Sequence, residues 1–335
     1  MTSAGGGSGV IPSLFGPGLA GLERLTLRTH HTPIAIEALA GDVGRRRYFR
    51  LTLPDNRTVL GVVYPPEEND SRRRWVEAHA VLRGRVRVPM LIADDGSGNH
   101  LVEDLGTEDL AACFSSASAN RRVLLERAAD IAAVIAGTPD PGINSPFDDA
   151  LFRRELNLAR EAVFEMYLDS PLSSDEGEIH DRWADALVRE ILGHPFALCH
   201  RDFHGNNLFP AADTIAVIDF QDLRRGPDSY DLASLLWERT TLDWMSEEKE
   251  RAVLARFASL RGVDPRALGR RLRRVLLQRA WKVCGTFARA VARGKGEIYR
   301  RFLPGELALV RSLLSGSDED RRFGALLKSR TNALC

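Results

Sequence analysis

Between His200 and Asp222 the chain reads HRDFHGNNLFPAADTIAVIDFQD, and no other stretch restricts the fold so tightly. Two short apolar runs, Phe196 to Cys199 just before it and Thr214 to Ile218 within it, have the length and character of strands, and Ala211-Ala212-Asp213 supplies a turn. The pattern predicts a pair of buried strands joined by a turn, with a polar loop at one end. Asp202 and Asn207 sit in that loop, and Asp219 follows the last apolar residue of the second run. Asp and Asn in loops are ordinarily turn and capping residues. Three acid or amide positions gathered on one strand frame argue for chemistry instead. A hard cation such as Mg2+ suits a carboxylate with an amide carbonyl, with waters and phosphates completing its shell.

His200-Arg201-Asp202 followed by Asn207 fits H-R-D-x-x-x-x-N, the pattern of kinase catalytic loops. In that pattern the Asp accepts the proton of an attacking hydroxyl, the Asn holds a magnesium ion, and an Asp after the next strand holds the metal that bridges the nucleotide phosphates. Asp202 is therefore the candidate base, and Asn207 and Asp219 are the candidate metal ligands. Phosphoryl transfer asks little covalent help of a protein but needs metal, hydroxyl and triphosphate accurately placed, which is why the acids belong on a rigid frame.

The segment also resembles the aminoglycoside phosphotransferase-like kinases, whose loop runs H-G-D-x-H-x-x-N and is followed by I-D-F or I-D-W; Arg201 stands where Gly is usual. IDFQDLRRGPDSYDLASLL from Ile218 to Leu236, and LQRAWKVCGTFARAVARGKGEIY from Leu277 to Tyr299, are similar to the N-acetylmuramate/N-acetylglucosamine kinases of bacterial cell-wall recycling. The likeness extends from about Leu39 to about Leu314. It implies ATP and Mg2+ as cofactors and a small-molecule amino sugar phosphorylated on its anomeric hydroxyl. It also implies an α+β, bilobal protein-kinase-like fold, with a small antiparallel β N-lobe and a mostly helical C-lobe. The corresponding division is a flexible leader over 1–18, the N-lobe and hinge over 19–105, and the helical lobe with the catalytic loop over 106–335.

Protein kinases share the three catalytic positions but carry a long activation segment ending in A-P-E. Here Gly226-Pro227 follows Asp219 within a few residues and Tyr230-Asp231-Leu232 opens an amphipathic helix, leaving no room to dock a peptide. A chain of 335 residues that is 44% hydrophobic can bury a sizeable core. Lys plus Arg equals Asp plus Glu at 46 each, so no net field draws nucleic acid or an anionic membrane to it. Cys113, Cys199, Cys284 and Cys335 lack C-x-x-C spacing, which argues against a zinc site or disulfide framework and for a reducing cytoplasm. No apolar run is long enough to span a membrane. The opening MTSAGGGSGVIPSLFGPG lacks signal-peptide character, and no Lys-Ser or Lys-Thr follows its GGGSG run as a phosphate loop would require.

Ile34 to Leu39, the stretch after GDVGRRRYFRLTL begins, and Thr58 to Tyr64 read as three strands of the small lobe. Gly41 and Gly44 would let the backbone turn closely over phosphates; the related kinases often read G-D-A-S-x-R-x-Y here. The third strand, LGVVYPP, has no Lys, so an Arg of the glycine turn is the substitute cation. Arg46 and Arg47 are the candidates, on opposite faces by alternation. Ser71 is expected to cap a helix with Trp75, Val76, His79 and Leu82 on one face; Glu77 lies where a kinase keeps its helix-C glutamate, and Arg72 to Arg74 form a solvated helix face rather than a nucleic-acid site. HLVEDLG from His100 to Gly106 reads as a strand entering the hinge. There the resemblance implies adenine pairing with the Glu103 carbonyl and Leu105 amide, with Asp104 exposed.

Beyond the hinge, Leu124-Ala128-Ile131-Ile135, Phe152-Leu156-Ala159-Val163-Met166 and Trp183-Leu187-Ile191 are apolar helical stripes that read as core. Asp264-Pro265 starts a long helix to about Arg293, in which Gly285 permits a kink or close packing. His204 orients the catalytic loop rather than moving protons, and Asp231 ties the following helix to it. The alternatives are an aminoglycoside or other metabolite kinase, and a nucleotide-binding pseudokinase, the latter suggested by the missing Lys.

Overall fold

The computed structural model describes residues 14–39, 45–116, 120–294, 297–314 and 316–331. Gly41 and Gly44, the GGGSG run and Cys335 lie outside the described residues. The chain divides into two units, Met1–Ala80 with Val88–Thr107, and Val81–Arg87 with Glu108–Cys335.

The first unit is built on a five-stranded antiparallel sheet of order β1-β2-β3-β5-β4, from β1 (Ala35–Leu39), β2 (Arg47–Thr52), β3 (Thr58–Val63), β4 (Leu91–Asp94) and β5 (Asn99–Glu103). Register follows side-chain alternation. Phe49 and Leu51 share a face with Val59 and Leu101, and these four join Leu22 and Leu25 of α1 (Ala20–Arg28) in one buried cluster. Each such side chain stabilises the unit by roughly 1.5–3 kcal/mol, an upper estimate. Sequence pattern assigned no element to the stretch holding α1.

Helix α2 (Asn69–Leu82) starts earlier than expected, so Ser71 lies inside its first turn and does not cap it. Trp75 stacks on His79 at 5.2 Å and tilts over His100 at 5.0 Å, fixing the helix to β5. Arg72 is not part of a solvated face: it is buried, and its Nη1 donates to both Asp94 carboxylate oxygens at 2.7 and 2.6 Å. Glu77 is exposed and pairs with Arg73, the turn before it, at 3.4 Å.

The second unit is mostly helical: α3 (Leu110–Ser115), α4 (Arg121–Ala136), α5 (Asp149–Arg160), α6 (Ser174–Leu192), α7 (Tyr230–Leu236), α8 (Glu247–Arg261), α9 (Pro265–Ala292), α10 (Glu297–Leu313) and α11 (Asp318–Thr331). Most residues of the predicted stripes are buried, with Trp183, Leu187 and Ile191 fully so, while Leu124 and Met166 are half-buried. Its strands are β6 (Phe196–Cys199), β7 (Leu208–Ala211), β8 (Thr214–Val217) and β9 (Arg224–Pro227). The two apolar runs do not pair with each other as expected. Instead β6 pairs with β9 and β7 with β8, in separate two-stranded ladders. The partners β7 and β9 carry Pro210 and Gly226-Pro227, residues that hide strand character.

Asp264 caps α9 by accepting the amides of Arg266 and Ala267, and Pro265 occupies the first turn. The helix packs against α5, α7, α8 and α10. Gly285 makes the approach to α5 possible, since a Cβ there would lie 2.4 Å from Ala159 Cα. Among the described residues no helix is long and apolar enough to cross a membrane. Gly285→Ala should force the two helices apart and destabilise the protein by roughly 1–3 kcal/mol, read as a lower urea midpoint; an unchanged midpoint would show that the contact yields freely.

Candidate active site

The loop after β6 is held at its root by one buried carboxylate. Asp231, in the first turn of α7, accepts the His200 amide at 2.7 Å and the Arg201 amide at 3.0 Å. Burial pushes the Asp231 pKa up, while His200 and the two amides favour its anion. As expected, this residue ties the helix to the loop. Arg201 has φ +81°, a left-handed conformation that suits Gly and costs other residues on the order of 1–2 kcal/mol. That accounts for the Gly usual in the resembling pattern. Here the side chain offsets the strain by donating to Glu155 at 3.2 Å and pairing with Asp222 at 3.5 Å.

The candidate residues are drawn together by backbone bonds. Asn207 Nδ2 donates to the Asp202 carbonyl at 2.9 Å, and the Ile218 amide donates to the Asn207 carbonyl at 3.0 Å, setting Asp219 one residue further on. His200 Nε2 donates to the Ile218 carbonyl at 2.8 Å, tying β8's exit to β6's. Asp219 is left-handed at φ +62°, and its Oδ1 accepts Gln221 Nε2 at 2.8 Å. The Asn207 amide nitrogen is thus engaged, and its side-chain oxygen and the Asp219 carboxylate are hard donors of the kind Mg2+ takes.

Helix α9 supplies the electrostatics. Burial raises the Asp202 pKa, but Lys282, Arg279 and Arg201 outweigh it and hold the value at about 2, so the carboxylate is ionised at neutral pH. Glu155 of α5 organises these cations: it accepts Gln278 at 2.9 Å and meets Lys282 and Arg201 at 3.2 Å each. Burial opposes its ionisation, yet Lys282 and Arg201 keep its pKa below the usual value. Arg279 donates to the Arg201 carbonyl at 3.0 Å and lies 4.7 Å over the Tyr230 ring. Burial lowers the His204 pKa to about 4, so that imidazole is neutral, and its Nδ1 is buried without a hydrogen-bond partner among the described residues. Pattern reading missed Glu155, Arg279 and Lys282; the available signal was cations three apart on an otherwise apolar helix stripe.

Beside the loop is a cavity of about 150 Å³ whose polar lining comes from His204, Trp237, Glu238, Arg239, Arg279 and Glu306. Asn206 borders it, donating to Asp109 at 2.9 Å and accepting Arg239 at 2.7 Å. Gly205 lets α3 come this close, because a Cβ there would lie 2.7 Å from the Ala111 amide nitrogen. Burial pushes the Glu306 pKa up to about 8, with Glu238 adding to the rise and Arg279 and Arg239 opposing it.

In the first unit, the two candidate arginines fall on opposite faces. Arg47 lies on the α1 side, where it donates to the Gly18 carbonyl at 3.1 Å. Arg46 pairs with Glu68 at 3.3 Å and lies 5.8 Å over the Tyr64 ring. Asp104 is not exposed: its side chain is 1% accessible and takes two bonds from Arg50, at 2.6 and 3.1 Å. Burial opposes its ionisation, but Arg50 and the Gly106 amide hold its pKa down. Glu103 uses its side chain to accept the Met90 amide at 2.9 Å, and Leu105 follows, half-buried.

Residues 35–303 match the phosphotransferase enzyme family. The chain is 30% identical over 309 residues to the N-acetylmuramate/N-acetylglucosamine kinase of Pseudomonas aeruginosa, a match covering 89% of each chain. It is 29% identical over 282 residues to a kinase of the same name from Neisseria meningitidis serogroup B, covering 81% of this chain and 83% of that one. A solved aminoglycoside phosphotransferase with ADP bound superimposes with a TM-score of 0.62 at 15% identity, over 91% of this chain and 99% of its own. At that identity the likeness speaks for the fold alone, and the fold is the α+β, protein-kinase-like one expected from sequence.

Removing a cation near a carboxylate raises its pKa, so Lys282→Met should move the acidic limb of kcat/KM to higher pH as Asp202 protonates more readily. A limb that stays at the parental pH would mean Asp202 does not sense this charge. Arg46→Ala should raise the KM for ATP, whereas Arg47→Ala should leave it near parental; equal effects would remove the face argument.

Proposed function

The chain belongs to the phosphotransferase enzyme family, and from that membership we propose that it transfers the terminal phosphate of ATP to the anomeric hydroxyl of N-acetylmuramate or N-acetylglucosamine. The observation that carries this reading is the match across 89% of both chains to a kinase named for those sugars. The geometry of the second unit is in keeping with it. Asp202, anionic at neutral pH, accepts a hydrogen bond from the sugar hydroxyl and turns its oxygen toward the phosphorus. A carboxylate of such low pKa is a weak base, so it receives the proton late, once the bond to phosphorus has begun to form. An anomeric hydroxyl is more acidic than an ordinary sugar alcohol, which suits such a base.

As the oxygen–phosphorus bond forms, the bond from that phosphorus to the oxygen of ADP breaks, and Asp202 takes the hydroxyl proton. Asn207 and Asp219 would hold Mg2+, which when bound supplies charge neutralisation for the phosphates. Arg46, on the sheet face away from α1 and already paired with Glu68, takes the part of the missing third-strand Lys. The backbone at Glu103 and Leu105 would pair with adenine. Four cysteines without C-x-x-C spacing suit a reducing cytoplasm.

The reading is tested by ADP release with free N-acetylglucosamine, N-acetylmuramate and their 1-O-methyl glycosides, with Asp202→Asn as a control. The free sugars should turn over and the methyl glycosides should not, since methylation removes the nucleophile. The control should lose about two to four powers of ten in kcat. Equal turnover of the methyl glycosides would exclude the anomeric position, and turnover of aminoglycosides alone would exclude amino sugars as acceptors.

A further inference from the structure

Glu306 of α10 is 3% exposed, and its carboxyl makes no hydrogen bond or ion pair among the described residues, although it lines the cavity beside the catalytic loop. A carboxyl in that position is costly as an anion and economical as a neutral acid. In the neutral form it is a donor as well as an acceptor. The groups around it come from three other elements: Glu238 and Arg239 after α7, His204 of the catalytic loop, and Arg279 and the Cys284 thiol of α9. Glu238 already accepts the Thr240 hydroxyl, leaving Glu306 as the one of these two carboxyls without a partner among the described residues. Trp237 adds an aromatic wall of the kind on which a pyranose ring can rest.

We propose that this cavity is the acceptor pocket and that Glu306 donates a hydrogen bond from its carboxylic acid to an oxygen of the acceptor, favouring acetamido sugars, neutral or anionic, over polycations. The inference rests on the sugar-kinase reading above and adds the group that chooses the acceptor. A neutral acid neither repels the carboxylate of N-acetylmuramate nor attracts the ammonium groups of an aminoglycoside, as an ionised pair of carboxylates would. Arg239 and Arg279 give the same pocket a cationic side. With a pKa of about 8, Glu306 is protonated at neutral pH and loses its donor above that value.

The test is the KM for N-acetylglucosamine and the kcat, measured across neutral and alkaline pH for the parent, Glu306→Gln and Glu306→Ala, with folding checked by circular dichroism. In the parent the sugar KM should climb above about pH 8, while the KM for ATP does not follow it. Glu306→Gln keeps a neutral donor of similar shape and should lose that climb. Glu306→Ala should raise the sugar KM at neutral pH by roughly tenfold, the worth of one buried hydrogen bond, and more than Glu306→Gln does. A folded Glu306→Gln enzyme that retained the parental alkaline climb would overturn the assignment, as would a parental sugar KM in both variants. No turnover of any amino sugar by the parent would instead count against the sugar-kinase reading itself.

Discussion

The carboxylate of Asp231 is the point on which the candidate site turns. It receives two consecutive backbone amides, of His200 and Arg201, and so fixes the direction in which the loop leaves β6. Everything downstream is referred to that bend: the Asp202 carbonyl that holds Asn207, the Asn207 carbonyl that holds Ile218, and the position of Asp219 beyond it. Asp231 is itself immobilised because α7 is buried on all sides and packs on α9. A chain of rigid contacts therefore runs from the long helix to the loop, as pre-organised transfer chemistry requires.

The same long helix answers a second problem. Asp202 lies where burial would neutralise it, and a neutral acid cannot accept a proton. Two cations one turn apart on α9, with Arg201 from the loop, reverse that tendency. Cations so close to one another would repel, and Glu155 is placed among them as a shared counter-ion. A buried network of this kind contributes little net stability, because desolvation consumes most of the Coulombic gain. Its value lies in holding the loop in one arrangement and one state of ionisation.

The polar loop after β6, most of the helical stripes and the start of α9 were legible because each rests on local pattern: spacing of polar residues, a 3.6-residue period, an Asp-Pro cap. Strand pairing was not legible. β7 and β9 are short and contain Pro or Gly, and their identity depends on neighbours that sequence order does not reveal. The fate of charged residues was equally hidden. Arg72 and Asp104 read as surface groups, yet each is sequestered by a partner 22 or 54 residues away. Helix α1 escaped notice because its apolar stripe is brief, and only the sheet face it covers gives it purpose. Glu306 could not have been singled out, since nothing in its local sequence distinguishes a buried glutamate from an exposed one.

The cavity lining comes from separate stretches of chain, with Glu306 on α10 roughly a hundred positions after the catalytic loop. That separation has an evolutionary consequence. Glu306 takes no part in the bonds that join Asp202, Asn207 and Ile218, whereas Arg239 after α7 holds Asn206 of the loop and is tied to them. On the proposed assignment, a lineage could change its acceptor by drift on one helix while inheriting the loop intact.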